Sequence, residues 1–136
     1  MDRVFILDRS GSMHNFIDDT LGGYNSFVET QKSFGGTMTL IQFHTTYTKV
    51  YDKVPIEEVQ PLTRQSYITG GGTALLDTLG NVIQDFSDRK PVVIILTDGE
   101  DNSSHLFTKE EIREMVDQCT SDGWSFVYLG ANQDAF

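Results

Sequence analysis

The stretch Val4-Phe5-Ile6-Leu7-Asp8-Arg9-Ser10-Gly11-Ser12 decides the fold. Its first four residues are an apolar run of the length expected for a strand buried on both faces, and the run stops at an acid followed by a polar Gly/Ser turn. A strand without a polar face belongs inside a sheet covered on both sides. A second such run, Val92 to Leu96, is introduced by Pro91 and ends at Thr97-Asp98-Gly99. Two buried strands, each running out into an acidic loop, frame the rest of the chain.

Between and beyond them the pattern changes period. From His14 to Phe34, Phe16, Thr20/Leu21, Tyr24, Phe27/Val28 and Gln31 recur at near-helical spacing, which predicts one helix with room for a kink at Gly22-Gly23. Thr37 to Phe43 and Thr46 to Tyr51 are rich in β-forming residues and separated only by His44-Thr45, which predicts an antiparallel hairpin. Pro55 to Val59 suits one helical turn, and Pro61 to Gly72 reads as an irregular loop ending in three glycines. Thr73 then opens a helix whose apolar face is Leu75, Leu76, Leu79, Val82, Ile83 and Phe86. Thr108-Lys109-Glu110-Glu111 fits a capping box before the stripe Ile112, Met115, Val116 and Cys119, and Gly123 suits the helix end. Trp124 to Leu129 supplies a last apolar strand.

These elements describe an α/β fold: a three-layer, Rossmann-like open sheet, mostly parallel with one antiparallel edge strand and with helices on both faces. In such sheets ligands bind beyond the C-terminal ends of the strands, where strand order reverses. Asp8 and Asp98 lie there. With 136 residues and no repeat or linker, the expectation is a single domain over residues 1–136.

Composition removes several function classes. A formal charge of -10, with 10 Lys and Arg scattered along the chain, argues against nucleic acid. No run approaches the ~20 apolar residues of a membrane span, and the first residues read as a strand rather than a signal peptide. Cys119 is the only cysteine, so no intramolecular disulfide forms and cytoplasmic residence is expected.

Asp8, Ser10, Ser12, Thr73 and Asp98 bring small oxygen-bearing side chains to one sheet edge. Hard oxygen donors with neither thiolate nor imidazole suit Mg²⁺, Mn²⁺ or Ca²⁺ rather than zinc or copper. Gly11 permits a tight turn and Gly70-Gly71-Gly72 lets backbone approach closely.

This constellation resembles the metal-ion-dependent adhesion site of von Willebrand factor A-type domains, in which Asp-x-Ser-x-Ser is completed by a distant Thr and a distant Asp. The resemblance spans nearly the whole chain. It is to the intracellular branch found in bacteria and phages, through Phe5 to Ser12, Gly72-Thr73-Ala74-Leu75-Leu76-Asp77, Leu96 to Asn102 and Leu129-Gly130-Ala131-Asn132-Gln133-Asp134. It implies that Ser10 and Ser12 bind the metal directly, Thr73 directly or through water, and Asp8 and Asp98 largely through water. It also implies a non-enzymatic module whose under-neutralised cation captures an Asp or Glu carboxylate of a protein partner. Members usually continue with a further helix, an edge strand and a final helix. With the sequence ending at Phe136, the expectation is that Phe126, Val127, Tyr128 and Leu129 lie on an uncovered edge open to association.

Other readings of the same residues stay open. Ser10-Gly11-Ser12 also suits a plain turn, with Asp8 capping the following helix. Asp8 at a strand end also resembles the nucleophile of Mg²⁺-dependent haloacid-dehalogenase-type phosphatases, but that motif needs Asp-x-Asp and Ser10 stands in the second place. A structural assembly subunit with a vestigial site is the third. The triple glycine lacks the Gly-Lys-Ser/Thr of a phosphate loop. His14, His44 and His105 are too dispersed for a metal cluster, and Cys119 belongs to a core stripe. Glu100 and Asp101 read as solvated loop charges, or Asp101 as a group that holds a site water or steadies the loop backbone.

Overall fold

The computed structural model describes residues 1–99 and 101–131. Strands β1 (Asp2–Asp8), β2 (Thr37–Phe43), β3 (Tyr47–Pro55), β4 (Val92–Thr97) and β5 (Ser125–Gly130) form one sheet in the order β3-β2-β1-β4-β5. β1, the first apolar run, is central: it pairs in parallel with β2 from Asp2↔Thr37 to Asp8↔Phe43, and with β4 from Arg3↔Val92 to Leu7↔Leu96. β5 adds in parallel beside β4, and β3 closes the other edge antiparallel to β2.

Alternation along the strands builds two cores. Phe5, Leu7, Met38, Leu40, Ile94 and Leu96 face Tyr24 and Val28 of helix α1 (Ile17–Gln31). Val4, Ile6, Ile41, Phe43, Val93 and Ile95 face Leu79, Val82 and Ile83 of α2 (Leu75–Asp85) and Ile112 and Cys119 of α3 (Lys109–Ser121). Each fully buried side chain of this kind contributes roughly 1.5–3 kcal/mol. The layering is therefore one helix, the sheet and two helices, as the strand and helix patterns predict.

Several boundaries differ from expectation for local reasons. The first helical region is a 3₁₀ segment (Gly11–Phe16), then α1, then a 3₁₀ turn (Lys32–Phe34). α1 runs through Gly22-Gly23, where an added Cβ would meet nothing within 4 Å. β3 continues past Tyr51 to Pro55, with register shifts between Met38 and Ile41 and a positive φ of 53° at Lys53. Most of β3 is exposed, so ladder pairing rather than an apolar face holds it. A 3₁₀ turn at Ile56–Glu58 and the Thr108/Glu111 capping box form as read, and Gly123 follows the end of α3 with φ 106°.

β5 is the far edge, but its four apolar residues divide. Val127 and Tyr128 are 43% and 57% exposed. Phe126 and Leu129 each pack against a core, and Phe126 stacks on buried Trp124 at a centroid distance of 5.9 Å. Alternation gives each sheet face of β5 one covered residue. Asn132, Gln133 and Asp134 lie outside the described residues. Among the described residues, no helix is long and apolar enough to cross a membrane.

Candidate metal centre

β1 connects through α1 to β2 on one side, and its other neighbour is β4, so strand order reverses between β1 and β4. Asp8 ends β1, and Asp98 directly follows Thr97, which ends β4. Both acids border that crevice.

Asp8 is fully buried. One carboxylate oxygen accepts the Ser10 N–H at 2.7 Å, the other accepts the Thr97 hydroxyl at 2.7 Å, and the Asp8 carbonyl accepts the Tyr67 hydroxyl at 2.5 Å. The bond to Ser10 is a local Asx-type turn, which bends the chain sharply as it leaves the strand. Burial pushes the Asp8 carboxyl above the usual carboxylate range; bonds from Ser10 and Thr97 pull against this, and the charge of Asp98 adds to the rise. Among the described residues, no Lys, Arg or His forms an ion pair with Asp8.

The turn after Asp8 brings the Ser10 and Ser12 hydroxyls to 3.4 Å from each other, Ser10 buried and Ser12 exposed. Thr73 arrives from the long loop. The loop lies along the first turn through Gly70 N–H to Arg9 carbonyl (2.9 Å) and Gly11 N–H to Gly71 carbonyl (3.0 Å). Ala74 N–H then donates to the His44 carbonyl at 2.8 Å. Gly71 has φ 76°, and a Cβ there would press on Thr45 and His44 at 3.2–3.3 Å. Thr73 itself is 3% exposed, with its N–H and carbonyl both bonded to Asn102 and its carbonyl also to Ser103. With the Thr73 backbone engaged outside the helix, α2 begins at Leu75 and not at Thr73.

Asp8, Ser10 and Ser12 are thus joined by direct bonds, Asp98 lies close enough to act on Asp8, and Thr73 lies on a segment laced to the first turn. Sequence reading passed over Thr97 and Tyr67. Thr97 stands inside Leu96-Thr97-Asp98, where a hydroxyl one residue before the acid was the available signal; Tyr67 sits in an irregular loop that gives none. Asp101 steadies backbone, accepting the Leu76 N–H at 2.9 Å. Glu100 lies outside the described residues. His14, His44 and His105 form no cluster, and among the described residues no group of three His, Cys, Asp or Glu is placed to hold a metal. Cys119 is buried in the core below α3. The donor set is instead hydroxyl-rich, and a buried carboxylate with no cation beside it fits a hard divalent ion.

A sequence profile described as "VWA domain containing CoxE-like protein" matches residues 1–134. The chain belongs to this VWA family. Among solved structures, this VWA chain is similar to manganese-loaded TRAP protein of Plasmodium vivax, with a TM-score of 0.72, 17% identity, and coverage of 96% of this chain and 56% of that one. Proximal thread matrix protein 1 from the mussel byssus gives a TM-score of 0.67 and 18% identity, over 95% of this chain and 37% of the other. The N-terminal domains of the type V pili tip protein Mfa5 of Porphyromonas gingivalis give 0.57 and 16%, over 74% of this chain and 20% of that one. At these identities the likeness is one of fold. The VWA chain spans little more than half the length of the first of these proteins and less of the others. No individual protein of curated function matches it by sequence.

Proposed function

We propose that the VWA chain is a divalent-metal-dependent protein-interaction module that captures an Asp or Glu carboxylate of its partner. Family membership supports a metal-dependent interaction module in general terms, and VWA domains are typically such modules rather than enzymes. The observation that carries the specific reading is Asp8: fully buried at the strand-order reversal, bonded only to neutral donors, and opposed by the charge of a second acid, Asp98. A cation removes that imbalance. In this reading Ser10, Ser12 and Thr73 hold Mg²⁺, Mn²⁺ or Ca²⁺ with Asp8 and Asp98 in support, and manganese in the similar TRAP protein agrees with the ion class. Neutral hydroxyl ligands leave such an ion electron-poor, which supplies the attraction for an incoming carboxylate.

Cytoplasmic residence, supported by the lone buried Cys119, and strand addition at the outer edge of β5, supported by exposed Val127 and Tyr128, belong to the same reading. The deciding experiment is calorimetric titration of Mg²⁺, Mn²⁺ and Ca²⁺ into the wild-type chain, followed by affinity capture with and without chelator. A captured protein released by chelator then tests the carboxylate. Ser12→Asp should keep or raise metal affinity while weakening that partner about tenfold, because an added charge quenches the ion's field. Equal partner binding by Ser12→Asp would refute carboxylate capture.

A further inference from the structure

Helix α2 opens without a cap of its own. Its N-cap is Ala74, which has no side-chain acceptor, so the first N–H groups of the helix need partners from elsewhere. They find them in the loop after β4. Leu76 N–H donates to Asp101 at 2.9 Å and Asp77 N–H to the Ser104 hydroxyl at 2.9 Å. One residue upstream of Ala74, Thr73 N–H donates to the Asn102 side chain at 2.8 Å, while Asn102 N–H and Ser103 N–H donate to the Thr73 carbonyl at 2.9 and 3.1 Å.

The helix returns the bonds. Asp77, 6% exposed in its first turn, accepts the N–H groups of His105, Leu106 and Phe107 at 2.9, 2.9 and 3.0 Å. Burial alone would raise the Asp77 carboxyl; those three N–H bonds outweigh it and the net shift is downward. Asp101 also accepts from Ser104 through both N–H and hydroxyl, so the loop is braced internally. Glycines set the fit at both ends. A Cβ at Gly72 would overlap the Ser103 side chain, and one at Gly80 would overlap the Phe107 ring.

We infer that residues Asp101–Phe107 form a clasp that holds Thr73 in register with the Asp98 loop, so that Asp77, Asp101, Asn102 and Ser104 are positioning residues for the metal centre. This rests on the metal reading above. Polar groups behind the ligands commonly set metal affinity by fixing ligand orientation, and their loss costs 10- to 100-fold. Here both backbone groups of Thr73 are bonded to the segment that begins three residues after Asp98, so the two are placed by one element.

The test uses Mn²⁺ calorimetry on the full chain with two charge-neutral changes, so that altered affinity is not a lost carboxylate. Asn102→Ala removes the acceptor for Thr73 N–H. Gly80→Ala, far along α2, displaces Phe107 and loosens the clasp from its other end. Val28→Ala, which trims the core under α1 on the other face of the sheet, controls for general destabilisation. The clasp requires Mn²⁺ affinity about tenfold weaker in Asn102→Ala and Gly80→Ala, unchanged affinity in Val28→Ala, and faster amide exchange at Leu76 and Asp77 with β1 amides still protected. Should Gly80→Ala fail to fold, Asn102→Ala decides alone. Wild-type affinity in the clasp variants overturns the inference and leaves the metal reading standing. A wild-type chain that takes up no Mn²⁺, Mg²⁺ or Ca²⁺ overturns both.

Discussion

β1 buries a charge at each end. Arg3, 1% exposed, lies at its N-terminal end, and Asp8, 0% exposed, at its C-terminal end. Both are met by neutral hydrogen-bonding groups: Arg3 donates to the Gln31 side chain at 2.8 Å and the Gly35 carbonyl at 2.7 Å, much as Asp8 accepts from Ser10 and Thr97. They differ in the next charge out. Glu57 favours the Arg3 cation, whereas Asp98 opposes the Asp8 anion. Beside Arg3, Asp2 is also paired with Arg89 at 2.8 Å. Burial disfavours both charges, but at the Arg3 end an acid of the same chain partly offsets that cost, whereas at the Asp8 end a second acid adds to it, an imbalance that an outside cation is suited to relieve.

Breaking that asymmetry at its source should give the largest effect. Asp8→Ala should weaken Mg²⁺ or Mn²⁺ binding by about 10- to 100-fold in calorimetry, with the fold retained by circular dichroism. Unchanged affinity would place the ion elsewhere. The same strand altered at its other end should do the reverse: Arg3→Met should cost about 1–3 kcal/mol in denaturant unfolding, because the half-buried Gln31 and Gly35 acceptors lose their charged donor, while metal affinity holds.

How far the sequence displayed this contrast depends on whether the information is local. The buried runs Val4 to Leu7 and Val92 to Leu96 carry their position in their composition, so the sheet centre and the acids beyond it were readable. β3 beyond Tyr51 was not, because an exposed strand held by its neighbour's ladder has no apolar alternation to detect. The true start of α2 and the roles of Asn102 and Ser104 were hidden for another reason. They depend on partners 25 to 29 residues away, and a polar loop shows no pattern that distinguishes a bonded side chain from a solvated one.

Thr97 sharpens the comparison with a smaller effect. Thr97→Val removes one donor from a buried carboxylate and should destabilise the metal-free chain by about 1–2 kcal/mol, with a loss of metal affinity smaller than that of Asp8→Ala. Thermal melts with and without chelator measure both.

The smallest effect is expected at Asp2. Thr37 and Arg89 hold its carboxyl below the ordinary value of 3.8, so the stability it contributes is complete above that value and is lost as pH falls through the lower folded pKa. Asp2→Asn should lower neutral stability by no more than about 1 kcal/mol and leave stability in acid nearly unchanged, which flattens the acid limb by that amount. Urea titrations from neutral pH downward would show this; a steeper acid limb in the variant would contradict it.

β1 takes β2 on one edge and β4 on the other, and the Thr97 hydroxyl reaches Asp8 across 89 residues of sequence. During synthesis the segment that becomes β1 is made well before Val92–Thr97. Until then a bare edge of a strand whose middle, Val4 to Leu7, is wholly apolar stands open, the kind of surface on which nascent chains pair wrongly. Long-range parallel pairing also closes slowly. The central placement that buries Asp8 so completely therefore makes productive folding wait for β4, and gives the nascent chain its period of greatest exposure to aggregation.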